Sequence, residues 1–241
     1  MTSNQSQETE GDVMNRKLLS LALVSAFAVG ALANEGSKKL PAPDFDPVTT
    51  THHDEKIIFA GGCFWGVQSV FQHVKGVKNA VSGYAGGDKD KAHYDLVGNG
   101  NTGHAESVEI TYDPAVISTG QLLRVFFSVA HDPTQLNRQG PDTGTQYRSE
   151  IFTTNEDQNR TAREYISQLN KSKQFEKPIV TLIEKNVKFY PAEAYHQDYA
   201  FLHPDEPYIV FNDLPKVKNL EKLYPDIYLS DPTLSSKRNK S

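Results

Sequence analysis

Lys56-Ile57-Ile58-Phe59-Ala60 is a short apolar run that Gly61-Gly62 brings to a stop. From Phe64 the apolar residues fall at Phe64, Val67, Val70, Phe71 and Val74. Within three residues the pattern changes from that of a buried strand to the 3.6-residue repeat of a helix. A chain with this junction must lay a strand and a helix side by side, and Cys63 sits on the turn between them. The same alternation continues. Ala80–Tyr84, Ser107–Tyr112, Arg148–Thr153 and Ile179–Glu184 read as strands. In the second of these Val108, Ile110 and Tyr112 share one face. Ser118 with Gln121 three residues on has the pattern of a capping box, and opens a helix carrying Leu122, Leu123, Phe126, Phe127 and Ala130. Glu156 and Asp157 open another, where acidic residues suit the helix dipole. A short helix follows Pro191 through Tyr199, and the proline-punctuated remainder reads as coil. Strands interleaved with helices indicate an α/β or α+β sandwich. Residues 88–104 and 131–146 read as long polar loops, which in a folded domain are usually functional. With their borders they carry Tyr94, Glu106, Asp142 and Tyr147.

The N-terminal region has its own organisation. Asn15-Arg16-Lys17 is basic, Leu18–Ala33 is uncharged, and Ala31-Leu32-Ala33 is a small-x-small cleavage pattern, so residues 1–33 read as a leader with a secretory signal peptide. The polar stretch before Met14 leads us to expect the start at Met14. Residues 34–54, rich in Pro, Asp, Lys and Thr, read as a linker. The catalytic domain is expected over 55–212, and a C-terminal coil and tail over 213–241. A net charge of −5 leaves no basic field for nucleic acid.

The 241 residues contain one Cys. No internal disulfide and no thiolate-rich zinc site can be built from it. A helix N-terminus favours an anion, so a thiol placed there is expected to ionise readily and react as the thiolate. Gly61 and Gly62 leave nothing bulky in front of the sulfur. Phe64 and Trp65 either pack the core or form a pocket for a methyl or thioether group, with which aromatic rings make favourable contacts. His131, His196 and His203 are read as structural, and without an assignable base a cysteine hydrolase is disfavoured.

Gly61-Gly62-Cys63-Phe64-Trp65-Gly66 resembles the signature of the A-type peptide methionine sulfoxide reductases. Gly83-Tyr84-Ala85-Gly86-Gly87, Gly103-His104-Ala105-Glu106, His131-Asp132-Pro133, Gly144-Thr145-Gln146-Tyr147-Arg148-Ser149 and Ala194-Tyr195-His196-Gln197 resemble that family in the same order. The resemblance implies an α+β, two-layer α/β sandwich with a ferredoxin-like plait core and a long C-terminal coil. It implies reduction of the S epimer of methionine sulfoxide, free or in proteins, through a sulfenic acid on the catalytic Cys63. It makes Glu106 the proton donor, gives Tyr94 and Tyr147 hydroxyls that hold the sulfoxide oxygen, gives Asp142 a part in organising the pocket, and sets Phe64 and Trp65 against the substrate. No metal or prosthetic group is implied. Many family members carry further cysteines that resolve the sulfenic acid, and this chain has none. An external thiol is therefore expected as reductant: a thioredoxin-like protein, a glutaredoxin or a small thiol. A monomer is expected, exported to the periplasm or secreted, touching membrane only through an uncleaved leader. The alternatives are a thiol peroxidase or redox sensor, and a secreted module that binds oxidised Met.

Overall fold

β1 (Glu55–Gly61) feeds α1 (Phe64–Gln72), which returns the chain to β2 (Val77–Ala85). The computed structural model describes residues 37–235, and the leader lies outside the described residues. After β2 come the one-turn α2 (Tyr94–Val97), β3 (Ala105–Tyr112) and α3 (Thr119–Val125), which runs into a π-turn at Phe126–Ala130. A small hairpin of β4 (Arg138–Gln139) and β5 (Asp142–Thr143) precedes β6 (Ser149–Thr153), α4 (Glu156–Lys171), β7 (Leu182–Lys185) and β8 (Phe189–Pro191). α5 (Tyr199–Leu202), a second π-turn at Ile209–Asp213 and α6 (Leu214–Leu223) follow.

Six strands form one sheet in the order β7-β6-β1-β3-β2-β8. All neighbours are antiparallel except β6 and β7. β3 therefore lies between β1 and β2, which α1 connects. One face holds the main core. There Ile57 and Phe59 of β1 and Val108, Ile110 and Tyr112 of β3 pack with Phe64, Val67, Val70 and Phe71 of α1 and with Leu122, Leu123, Ala162 and Tyr165 of α3 and α4. The other face has a smaller cluster of Ile58, Ala60, Ala85, Ala105 and Phe152. The period-2 row continues past its apolar members, so Glu106 lies on the same face of β3 as Val108 and Ile110, and is buried.

The capping box forms as the sequence predicts: the Gln121 N–H donates to Ser118 Oγ and the Ser118 N–H to Gln121 Oε1. Three expectations are corrected. The two polar loops are not structureless, because α2 and the β4–β5 hairpin lie inside them. The last main strand begins at Leu182, not Ile179. The C-terminal segment is not coil throughout. Pro215 stands in the first turn of α6, where its missing N–H costs nothing, and Val217 and Leu220 continue a helical apolar face into the core.

The segment read as a linker is fastened along much of its described length. Leu40 is fully buried in the main core. Its carbonyl accepts the Arg124 Nε–H at 2.6 Å, and that of Pro41 accepts the Tyr165 hydroxyl at 2.8 Å. Asp46 takes the Gly120 N–H at 2.9 Å and the Ser118 hydroxyl at 2.5 Å, adding a carboxylate to the N-terminus of α3. Leu40→Ala is expected to cost about 3 kcal/mol by urea unfolding, the range of fully buried Leu truncations. A loss below about 1 kcal/mol, typical of a surface site, would show that the strap only rests on the domain.

Candidate active site

The turn from β1 into α1 rests on Gly62, whose φ is +90°. A Cβ there would also lie 2.5 Å from the Gln139 side chain, so both conformation and space require glycine. Cys63 follows as the N-cap residue of α1 and remains partly exposed. The backbone behind it is braced by His131, which is buried and stacked on Phe126 with centroids 4.0 Å apart. His131 bonds the Phe126 carbonyl through Nδ1 at 3.2 Å and Ser149 Oγ through Nε2 at 2.7 Å. Burial lowers its pKa to about 4, so the ring is a neutral packing element.

Glu106 reaches the same turn from β3. Its Oε2 accepts the backbone N–H of Phe64, the first residue of α1, at 3.0 Å. Glu106 is buried, and burial pushes its pKa up to about 8, with Asp142 and Asp213 adding to the rise and the Phe64 bond opposing it. At neutral pH the carboxyl keeps its proton. The thiol departs from the sequence expectation. Desolvation, then Glu106, then Asp213 raise Cys63 well above the ordinary thiol value, outweighing the Trp65 N–H and Lys216, which favour the thiolate. The helix N-terminus is present, but the acids and the enclosure around it win.

The phenols of Tyr94 and Tyr147 share this field. Tyr94 is pushed up to about 12 and Tyr147 is raised further, each by burial first and then by Glu106, with Cys63 and Asp142 contributing to both. Glu193 places Tyr94, accepting its N–H at 3.1 Å and the Tyr84 hydroxyl at 2.8 Å. Asp142, on β5, accepts the hydroxyl of Tyr208.

Aromatic rings close one side. Phe64 is fully buried and packs against Tyr84 at 5.9 Å and His196 at 5.0 Å. Trp65 is only partly buried. Its ring stacks on Tyr199 with centroids 3.9 Å apart and stands T-shaped to Tyr208 with centroids 6.0 Å apart. Its Nε1–H donates to His196 Nδ1 at 3.2 Å. His196 also lies 4.4 Å from the Tyr94 ring.

The structure thus gathers Cys63, Phe64, Trp65, Tyr94, Glu106, Asp142 and Tyr147 around one turn. His203 stays outside, exposed and against Tyr199. Sequence reasoning passed over Glu193, Tyr199, Tyr208, Asp213 and Lys216, and placed His196 in the framework without seeing that it lines the wall. His196 lies within the Ala194-Tyr195-His196-Gln197 motif, and Glu193 and Tyr199 flank it, a signal that could have found them; Tyr208, Asp213 and Lys216 stand in no local pattern.

Residues 55–226 match the family model of peptide methionine sulfoxide reductase. The chain is 65% identical over 180 residues to a peptide methionine sulfoxide reductase MsrA 2 of Mesorhizobium japonicum, covering 75% of this chain and 92% of the relative. Its identity to the protein of the same name from Synechocystis is 50% over 205 residues, covering 83% and 96%. Among solved structures it resembles methionine sulfoxide reductase A of Corynebacterium diphtheriae, with a TM-score of 0.53 and 31% identity over 70% of this chain and 89% of that one. It also resembles reduced Mxr1 of Saccharomyces cerevisiae, with a TM-score of 0.54 and 33% identity over 67% and 92%. On these matches, and with its cysteine, carboxyl and aromatic rings drawn around the start of α1, the chain belongs to the peptide methionine sulfoxide reductase family.

Proposed function

We propose that this enzyme reduces the S epimer of methionine sulfoxide, free and in oxidised proteins, with Cys63 as nucleophile and Glu106 as proton donor. One observation carries the reading: Glu106 is buried, held protonated at neutral pH, and bonded to the residue that follows Cys63. A sulfoxide oxygen leaves sulfur only when it is protonated, so a neutral acid beside the nucleophile is what the chemistry needs. The Cys63 sulfur attacks the sulfoxide sulfur, Glu106 delivers a proton to the oxygen, and the thiol gives up its own proton, so no net proton is consumed. The S–O bond of the substrate breaks and the oxygen passes to Cys63. The products are a thioether and a Cys63 sulfenic acid, the sulfur of the substrate being reduced and that of Cys63 oxidised. Tyr94 and Tyr147, whose phenols stay protonated, are suited to donate hydrogen bonds to the oxygen. Asp142 holds Tyr208, whose ring stands T-shaped to Trp65, and the Phe64–Trp65 side offers the substrate methyl an apolar wall.

The second half of the cycle needs thiols from outside, since one Cys cannot form an internal disulfide. Two external thiols, or one protein dithiol, reduce the sulfenic acid to the thiol, releasing water and leaving a disulfide on the reductant. A thioredoxin-like protein, a glutaredoxin or a small thiol fits this role, and the catalytic unit is a monomer. A peroxidase is disfavoured because peroxide, small and polar, would leave the aromatic Phe64–Trp65 side of the site without a use. The central order β6-β1-β3-β2, antiparallel with α1 crossing over from β1 to β2, supports a ferredoxin-like plait core extended by two edge strands. The basic and then uncharged leader supports export.

Glu106→Gln should lower kcat by about 10²–10⁴-fold, the usual worth of a positioned proton donor. Wild-type activity should also fall as pH rises through about 8, where Glu106 loses its proton, and this limb should vanish in the variant. An unaltered pH profile would remove Glu106 as the acid. Mixed with substrate and no thiol, the enzyme should form one methionine per Cys63 and leave the sulfur reactive to a sulfenic-acid trap, whereas Cys63→Ser should form none. Continued turnover without thiol would exclude the one-cysteine cycle. Sequencing the exported protein should show Asn34 first; an intact leader would argue against cleavage.

A further inference from the structure

Asp213 occupies the N-cap position of α6, yet its side chain makes no capping bond to that helix. It is fully buried, and Oδ1 lies 3.2 Å from Lys216 Nζ. Oδ2 is buried with no hydrogen-bond partner among the described residues. The pair lies against the first turn of α1. A Cβ on Gly66 would stand 2.1 Å from Asp213 Oδ1 and 2.6 Å from Lys216 Nζ, so only glycine lets the pair reach this backbone. A buried carboxyl and a buried ammonium therefore press on the turn that carries Cys63. Buried pairs add little to fold stability, because desolvation offsets their attraction, and an apolar pair of similar volume would pack as well. The arrangement calls for another use.

We propose that Asp213 and Lys216 are positioning residues that govern the protonation of Cys63, Asp213 keeping the resting thiol neutral and Lys216 tempering that hold. The charged groups acting on the thiol are Glu106 from β3, Asp213 from the second π-turn and Lys216 from α6. The phenols of Tyr94, Tyr147 and Tyr208 face it from α2, the turn before β6 and the stretch before that π-turn. Asp142 lies among the same groups, and His131 faces Lys216. Glu106 is neutral at pH 7, and burial raises Asp213 above the ordinary carboxylate range while Lys216, 3.2 Å away, favours its ionised form, so the charge felt by the thiol is set by this pair. A neutral thiol is slow to react with peroxide, a useful restraint where no second Cys could rescue the first.

The inference rests on Cys63 as the nucleophile, but alkylation reads the thiol itself and separates the two. Because the chain has one Cys, iodoacetamide labelling followed by intact mass reports Cys63 alone across a pH series. Asp213→Asn removes a charge that opposes the thiolate and leaves Lys216, which favours it. Its labelling midpoint should fall by about one pH unit or more. In Asp213→Asn/Lys216→Met both charges are gone, and the midpoint should lie between those of Asp213→Asn and wild type. An unmoved midpoint in Asp213→Asn, or one shared by the single and double variants, would overturn the proposal. A purely structural role would change the labelling rate at every pH and leave the midpoint in place. Should Asp213→Asn not fold by near-UV circular dichroism, Asp213→Ser makes the same charge change and carries the same expectation. Sulfoxide reduction surviving in Cys63→Ser would overturn the nucleophile reading alone.

Discussion

Glu106 accepts the Phe64 N–H at 3.0 Å, and this bond joins the central strand of the sheet to the first turn of the helix that carries the thiol. A carboxyl in a core-facing row costs free energy unless it is bonded or neutral, and here it is both. The bond also satisfies one of the amides that a helix start leaves open. Strand register, helix entry and the state of the acid are thus coupled through one contact. Moving β3 by a single residue would turn Glu106 to the opposite face and leave the Phe64 amide without its partner.

The electrostatics around that contact run against the simplest expectation for a cysteine at a helix start. The dipole and the Trp65 amide favour the thiolate, but enclosure by aromatic rings and a gathering of acids favour the thiol. The same low-polarity surroundings keep Glu106 protonated and hold the phenols of Tyr94 and Tyr147 above their ordinary range. A site built this way is rich in transferable protons and poor in standing charge, which suits a reaction whose slow feature is a poor leaving oxygen.

Much of this was legible where the chain repeats itself. The row 108, 110, 112 follows from period 2 alone, with Glu106 joining it only in the structure, and the Ser118–Gln121 box marks the start of α3 to the residue. The junction at Cys63 was visible because two periodicities meet there. What escaped depended on distant partners. Leu40 stands in a polar, proline-rich stretch, and only its pocket beside Arg124 and Ser128 shows that it belongs to the core. Pro215 hid α6, since a proline ends a helix in mid-course but is harmless in the first turn. Tyr208, Asp213 and Lys216 lie more than a hundred residues from Cys63, and nothing in their local pattern points back to it.

That long separation bears on how the chain matures. Glu106 reaches the α1 turn from a strand close by in the chain, whereas the Asp213–Lys216 contact with that turn needs residues near 209–216 to be docked. In the unfolded chain Cys63 is an ordinary, more acidic thiol. The folded state holds the neutral form, so alkaline conditions, which draw the proton off the unfolded chain first, pull the equilibrium away from the native state. Completion of the fold is therefore also the step that quiets the sulfur.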